Sequence, residues 1–97
     1  MTAPPQLQAA VERYLDGLRN ERQLSVHTAS NYGRDLASLL DYCAAQGIDD
    51  WGRLDSQHLR QFAAREHRRG LSPRSIQRRL SACRGLFRFL IREGELR

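Results

Sequence analysis

Between Arg65 and Arg92 the chain carries nine arginines and one acid, Glu66. A guanidinium offers a planar fork of donors that matches two phosphate oxygens or the O6/N7 edge of guanine. A run of this kind therefore suits a polyanion, above all the backbone and major groove of DNA. The competing reading is a solvated basic surface with no ligand. No other residues point as directly to chemistry. His27, His58 and His67 lack the H-x-x-x-H spacing of a metal site and have no cysteine beside them. Asp49-Asp50 falls in a turn, and Asp35 and Asp41 fall on a helix surface, so no carboxylate pair is set up for acid–base work. No glycine-rich phosphate loop follows a strand, and no histidine is placed to activate a serine or tyrosine. An enzyme complete within these 97 residues is not expected, and neither is a metal or cofactor. Binding is the more economical function.

The arginines need a support, and periodicity supplies one. Ser72 followed by Pro73 reads as an N-cap with proline at the first helical position. From there Ile76, Leu80, Cys83, Phe87, Leu90 and Ile91 recur every three or four residues, while Arg74, Arg78, Ser81, Gly85, Arg88 and Arg92 fall on the other side. Gly94 stops this helix. An earlier helix opens at the N-cap Ser25, with Leu24 as a staple residue, and ends at Gly47. Its expected inward face is Val26, Ala29, Tyr32, Gly33, Leu36, Leu40 and Cys43. His27, Asn31, Arg34 and Ser38 project outward, either as ordinary surface or toward a phosphate. Two further helices complete the reading. One runs from Gln6 to Arg22 and buries Leu7, Val11, Tyr14, Leu15 and Leu18. The other runs from Ser56 to Arg69, is capped by Asp55, and buries Leu59, Phe62 and Ala63. Trp51 between helices reads as a core plug. The expectation is an all-α domain of four helices with short loops, the last helix being the most central.

Bulk properties agree with one small globular domain. Hydrophobic residues make up 40% of the chain, and no apolar run approaches the roughly 18 residues of a membrane span. The N-terminal stretch lacks the basic start and apolar block of a secretory signal. Cys43 and Cys83 both fall on apolar faces and are expected as reduced core thiols, in keeping with a cytoplasmic chain. The net charge of +5 is unevenly placed. Residues 1–50 hold four arginines and seven acids, for −3, whereas residues 51–97 hold twelve arginines and four acids, for +8. A charge gathered in one half favours a polyanionic partner. All sixteen basic residues are arginine.

Two stretches carry a family resemblance. Glu21 to Leu36, ERQLSVHTASNYGRDL, matches an LS-x-x-T-x-x-x-Y-x-x-D-L opening. Gly70 to Gly94, GLSPRSIQRRLSACRGLFRFLIREG, matches a pattern of a GLS start, an R-x-L-S-A core and an aromatic-rich end. On these the chain resembles the tyrosine recombinases of the phage-integrase family, and within them the Xer group. The segment Glu21 to Ser25, Trp51 and the stretch Arg60 to Ala64 lean toward its XerC-like branch. The resemblance spans about Leu7 to Arg97. It implies a SAM-like, four-helix core-binding domain over residues 6–94, a flexible tail over 1–5, and the start of a linker at 95–97. The second and fourth helices would face the major groove of a recombination half-site in double-stranded DNA.

The resemblance also implies which residues touch DNA: Ser25, Thr28, Asn31 and Arg34 on the second helix, and Ser72, Arg74, Ser75, Arg78, Arg79 and Arg88 at the fourth. The helical wheel selects most of the same positions. Arg79 flanks the apolar stripe and could instead bridge to an acid. Asp35 is unsuited to DNA by charge and is expected to pair with an arginine inside the protein. The catalytic half of such a recombinase, with its nucleophilic tyrosine, would lie beyond these residues, so Tyr14, Tyr32 and Tyr42 are expected as packing residues. The implied partners are DNA and, in a full-length tetramer, a XerD-like recombinase, with no membrane and no small-molecule ligand. The rival from another class is a helical protein–protein module whose arginine face docks on an acidic partner. A transcriptional helix-turn-helix fits less well, because no three- to four-residue turn joins two short helices ahead of a reading helix.

Overall fold

The structure, a computed structural model, describes residues 2–21 and 25–96. It consists of α1 (Pro5–Glu21), α2 (Val26–Gln46), α3 (Ser56–Arg68) and α4 (Pro73–Arg92), with one 3-10 turn at Trp51–Arg53. Among the described residues there is no strand. The all-α, four-helix expectation holds.

Short polar side chains set where three of the helices begin. Ser25 and Ser72 are extended in backbone, and each hydroxyl accepts from an N–H three residues on, that of Thr28 at 3.1 Å and that of Ser75 at 3.2 Å. Asp55 accepts from the His58 N–H at 2.9 Å, and His58 Nδ1 accepts in return from the Asp55 N–H, which completes a capping box. Each cap satisfies a donor that the first helical turn leaves without a partner. Gly47, at φ 70°, closes α2 in the left-handed conformation that side chains disfavour. Leu24, expected as a staple for this start, lies outside the described residues.

α4 packs against α1, α2 and α3 and is the centre of the bundle, as expected. It runs antiparallel to α2, because Asp35 meets Arg78 and Arg79 while Thr28 lines the same cleft as Arg88. The largest fully buried side chains are Leu7, Leu36, Leu39, Cys43, Phe62, Cys83, Leu86 and Leu90, together with Asp35. Trp51 is buried with its ring edge-on to Phe87 at 6.3 Å, so it does plug the core. Tyr14 packs on Phe89 and Tyr42 on Phe62, each pair at 5.5 Å between ring centres. Cys43 and Cys83 are free and buried, and burial pushes their thiols up to about 11 and about 12.

Both central helices are rotated from the expected faces. On α2 the buried side runs through Ala29, Asp35, Leu36, Leu39, Tyr42 and Cys43, and Val26 is exposed. On α4 it runs through Ala82, Cys83, Leu86 and Leu90, while Ile91, about 100° past Leu90, is exposed. The expected stripe centred on Ile76, Leu80 and Phe87 and passed over Leu86, which is fully buried. The small Ala82 marks the buried face better because it sits where α4 is fully covered. Asp35 is likewise not on the helix surface but fully buried. At the termini, Ala3 is buried and its carbonyl accepts from Gln8 Nε2 at 2.6 Å, in the stretch expected as a tail. Glu95 pairs with Arg13, and Leu96 packs against the core.

Candidate nucleic-acid interface

The arginine side of α4 follows from the same rotation. With the buried line along Ala82, Leu86 and Leu90, residues Arg74, Ser81, Arg88 and Arg92 point away from the core, and all four are exposed. At about 1.5 Å per residue, Arg74 and Arg88 stand roughly 21 Å apart along the helix axis, about six base-pair steps of B-DNA. Near one end of this face a cleft opens between α1, α2 and α4. Its lining includes the hydroxyl-bearing Thr28, Tyr32 and Ser81 and the guanidinium-bearing Arg88 and Arg92 and, among the described residues, no carboxylate. Gly85 belongs to the same lining, and a Cβ added there would stand 2.1 Å from the Tyr14 hydroxyl. The Tyr14 hydroxyl thus occupies the space in which a side chain at position 85 would begin.

The other expected residues fall into local pairs. Ser25 and Thr28 share a hydrogen bond at 3.0 Å, as do Ser72 and Ser75 at 3.1 Å, so these hydroxyls already serve the caps of α2 and α4. Arg34 is exposed and donates to Asn31 Oδ1 one turn back and to Ser30 Oγ at 3.4 Å. Because α2 and α4 are antiparallel, the start of α2 lies with the C-terminal half of α4. Thr28 and Arg88 come together, whereas Ser72, Arg74 and Ser75 occupy the far end.

Arg78 and Arg79 turn toward a buried charge cluster. Arg78 donates from Nε to Asp35 Oδ2 at 3.0 Å and from Nη2 to Asp35 Oδ1 at 2.9 Å. Arg79 donates from Nε to Asp35 Oδ1 at 2.9 Å and from Nη1 to Ser38 Oγ at 3.1 Å, and the same Nη1 stands 3.3 Å from Glu66 Oε1. Ser38 donates to Glu66 Oε1, and Arg69 approaches Glu66 Oε2 at 3.8 Å. Asp35 and Glu66 are 0% and 3% exposed, so two carboxylates and two guanidiniums tie α2, α3 and α4 together. Such a cluster tolerates burial because each charge is paired and hydrogen-bonded. The Asp35 hydrogen bonds also raise the Arg78 pKa, which keeps that guanidinium charged. The side chain of Arg79 is 14% exposed and that of Arg78 is 38% exposed. Asp35 thus pairs with an internal arginine as expected, and Arg79 takes the acid-bridging place open to it. Glu66 was missed, and Ser38, expected to project outward, is instead half-buried between Glu66 and Arg79, where its hydroxyl bonds both. The signal for Glu66 was available, because one acid amid nine arginines is well placed to be their internal counter-charge.

This arrangement matches a known sequence family. Residues 11–94 match the phage integrase N-terminal SAM-like domain. The chain belongs to that family. Among curated proteins this SAM-like domain is similar to tyrosine recombinase XerC of Xanthomonas campestris pv. campestris (strain B100), at 52% identity over 88 residues, which covers 91% of this chain and 27% of the relative. It is similar to tyrosine recombinase XerC of Pseudomonas putida (strain W619) at 52% over 88 residues, covering 91% and 29%. For tyrosine recombinase XerC of Azotobacter vinelandii (strain DJ / ATCC BAA-1303) the figures are 50% over 91 residues, 94% and 30%. The chain therefore spans between a quarter and a third of the length of these relatives. No solved structure matches it.

Proposed function

We propose that this chain is the DNA-gripping domain of a XerC-like site-specific recombinase and that it holds one recombination half-site. The observation that carries the reading is the exposed face of α4, where Arg74, Ser81, Arg88 and Arg92 project beside a cleft lined with hydroxyls and guanidiniums and, among the described residues, no carboxylate. Phosphates would be held by Arg74, Arg88, Arg34, Thr28 and Asn31, with Ser25, Ser72 and Ser75 presenting the helix starts. Arg78 would reach a base edge, and Arg79 would serve the fold rather than the duplex. In the longer recombinase, catalytic residues outside these 97 would cut and rejoin DNA. A XerD-like partner would take part in the tetramer, and resolution of chromosome dimers before division, in the cytoplasm, would be the outcome.

Fluorescence anisotropy tests this reading on a duplex carrying a Xer half-site and on a scrambled duplex. Contact with about five phosphates gives a log–log salt slope of about −4.5. A steep slope with tighter binding to the half-site supports the proposal. Affinity that barely changes between about 50 and 150 mM salt would refute an electrostatic grip. Failure to bind either duplex would favour the protein-docking alternative.

A further inference from the structure

Arg78 is held in an unusual way for an arginine on a DNA-facing helix. A guanidinium has five N–H donors, arranged as a side edge (Nε and the near hydrogen of Nη2) and a terminal edge (Nη1 and the far hydrogen of Nη2). Asp35 takes the side edge with both of its oxygens, at 3.0 and 2.9 Å. No hydrogen bond or ion pair among the described residues takes Nη1. The carboxylate cannot swing away, because it is fully buried and Arg79 holds its Oδ1 from behind at 2.9 Å. Arg79 is fixed in turn by Ser38 and Glu66. We infer that Asp35 is a positioning residue for sequence readout, and that it clamps Arg78 so that the terminal edge of its guanidinium meets guanine O6 and N7 in the major groove.

The inference rests on the DNA-binding reading and deepens it by naming the discriminating contact and what orients it. An unclamped arginine would have to be ordered on binding and could settle on a phosphate as readily as on a base. One fixed along its side edge presents two parallel donors in a single direction, which is the geometry a guanine edge accepts. Arg74 and Arg88 are exposed and have no such carboxylate support among the described residues, so they fit sequence-independent phosphate contact.

The test uses the 97-residue chain, a duplex carrying a Xer half-site and a scrambled duplex of equal length, read by anisotropy at fixed salt. Arg78→Ala and Asp35→Asn should each lower the half-site to scrambled affinity ratio by about ten-fold. The double variant should lose no more than either alone, and Arg88→Ala should weaken both duplexes alike. Circular dichroism establishes that each variant is folded. Should Asp35→Asn fail to fold, Arg78→Lys replaces it. A lysine keeps the charge but lacks the planar fork that grips Asp35 with one edge and aims a second, parallel pair of donors at a base, so the ratio should fall while scrambled-duplex affinity stays. A wild-type ratio in folded Asp35→Asn or in Arg78→Lys overturns the clamp while leaving a DNA grip intact. An unchanged ratio in Arg78→Ala removes that residue as the discriminating contact. Absence of any duplex binding by the wild-type chain overturns the underlying reading itself.

Discussion

Replacing Gly85 by alanine tests the packing that sets α1 against the arginine helix. In an ordinary helix interior this change stabilises by about 1 kcal/mol, because glycine is the more flexible residue in the unfolded chain. Here the new methyl would stand 2.1 Å from the Tyr14 hydroxyl and 3.2 Å from Cζ of the same ring. Tyr14 is buried and packs on Phe89, so its ring cannot move without disturbing α4 again. Overpacking of this kind costs about 1–3 kcal/mol and outweighs the helix gain. Gly85→Ala should therefore lose about 1 kcal/mol net, which lowers Tm by roughly 4–8 °C in a domain of this size. The control lies in the opposing ring. Tyr14→Phe removes the clashing oxygen and leaves the 3.2 Å contact, which a shift of a few tenths of an ångström relieves. When Tyr14→Phe is already in place, the same Gly85→Ala change should be neutral or stabilising. Thermal unfolding of the wild type, both single variants and the double variant gives the coupling directly. A Gly85→Ala protein as stable as the wild type, or equal penalties in the two backgrounds, would refute the close approach.

Other perturbations probe the buried charges, the thiols and the caps. Asp35→Ala leaves Arg79 without its central partner inside the bundle and should cost about 3–5 kcal/mol in urea unfolding. A loss below about 1 kcal/mol would mean that the cluster is not a structural tie. Cys43 and Cys83, with thiols raised to about 11 and about 12 from 9.0, favour the folded state at lower pH. Their contribution is present below about 9 and lost as pH rises toward the folded values, so stability should fall above about pH 9 and iodoacetamide at about pH 8 should label neither until the chain unfolds. Hydrogen bonding to the His58 N–H lowers the Asp55 pKa below 3.8. Its contribution is therefore present above 3.8 and lost as pH falls through the folded value, and Asp55→Asn should remove that part of the acid dependence. Ser72→Ala should cost about 1 kcal/mol through the lost cap, read as a lower urea midpoint with an unchanged slope.

The parts of the fold legible in the sequence were those written in local chemistry. The caps Ser25, Asp55 and Ser72 and the terminating Gly47 need only their near neighbours, and each stands where the residue types put it. Which side of a helix is buried depends on what comes to meet it. The apolar residues of α4 spread over a wide arc, and a stripe read without knowing its neighbours was centred near Ile76, Leu80 and Ile91 and passed over Leu86. The contact with α2 includes the bonds of Asp35 to Arg78 and Arg79, and the fully buried Ala82 marks the covered side of α4. Neither registers strongly in a hydrophobic pattern. Glu66 escaped for the same reason, since a lone acid on a polar helix looks like surface until a guanidinium from another helix is seen to cover it.

A basic face and a stable bundle make opposing demands on this chain. Arginines gathered along one surface repel each other and weaken the compact state, an effect that DNA would relieve but that the free protein must carry alone. The structure answers with two acids placed beneath that surface rather than on it. Asp35 and Glu66, both buried, pair with Arg78 and Arg79 from inside, where salt screens them less than it would at the surface. The cleft beside Arg88 is lined by guanidiniums and hydroxyls and, among the described residues, by no carboxylate. With Arg79 and one edge of Arg78 committed to buried acids, the positive charge of α4 is partly balanced from within, while Arg74, Arg88 and Arg92 stand outward on one rigid surface.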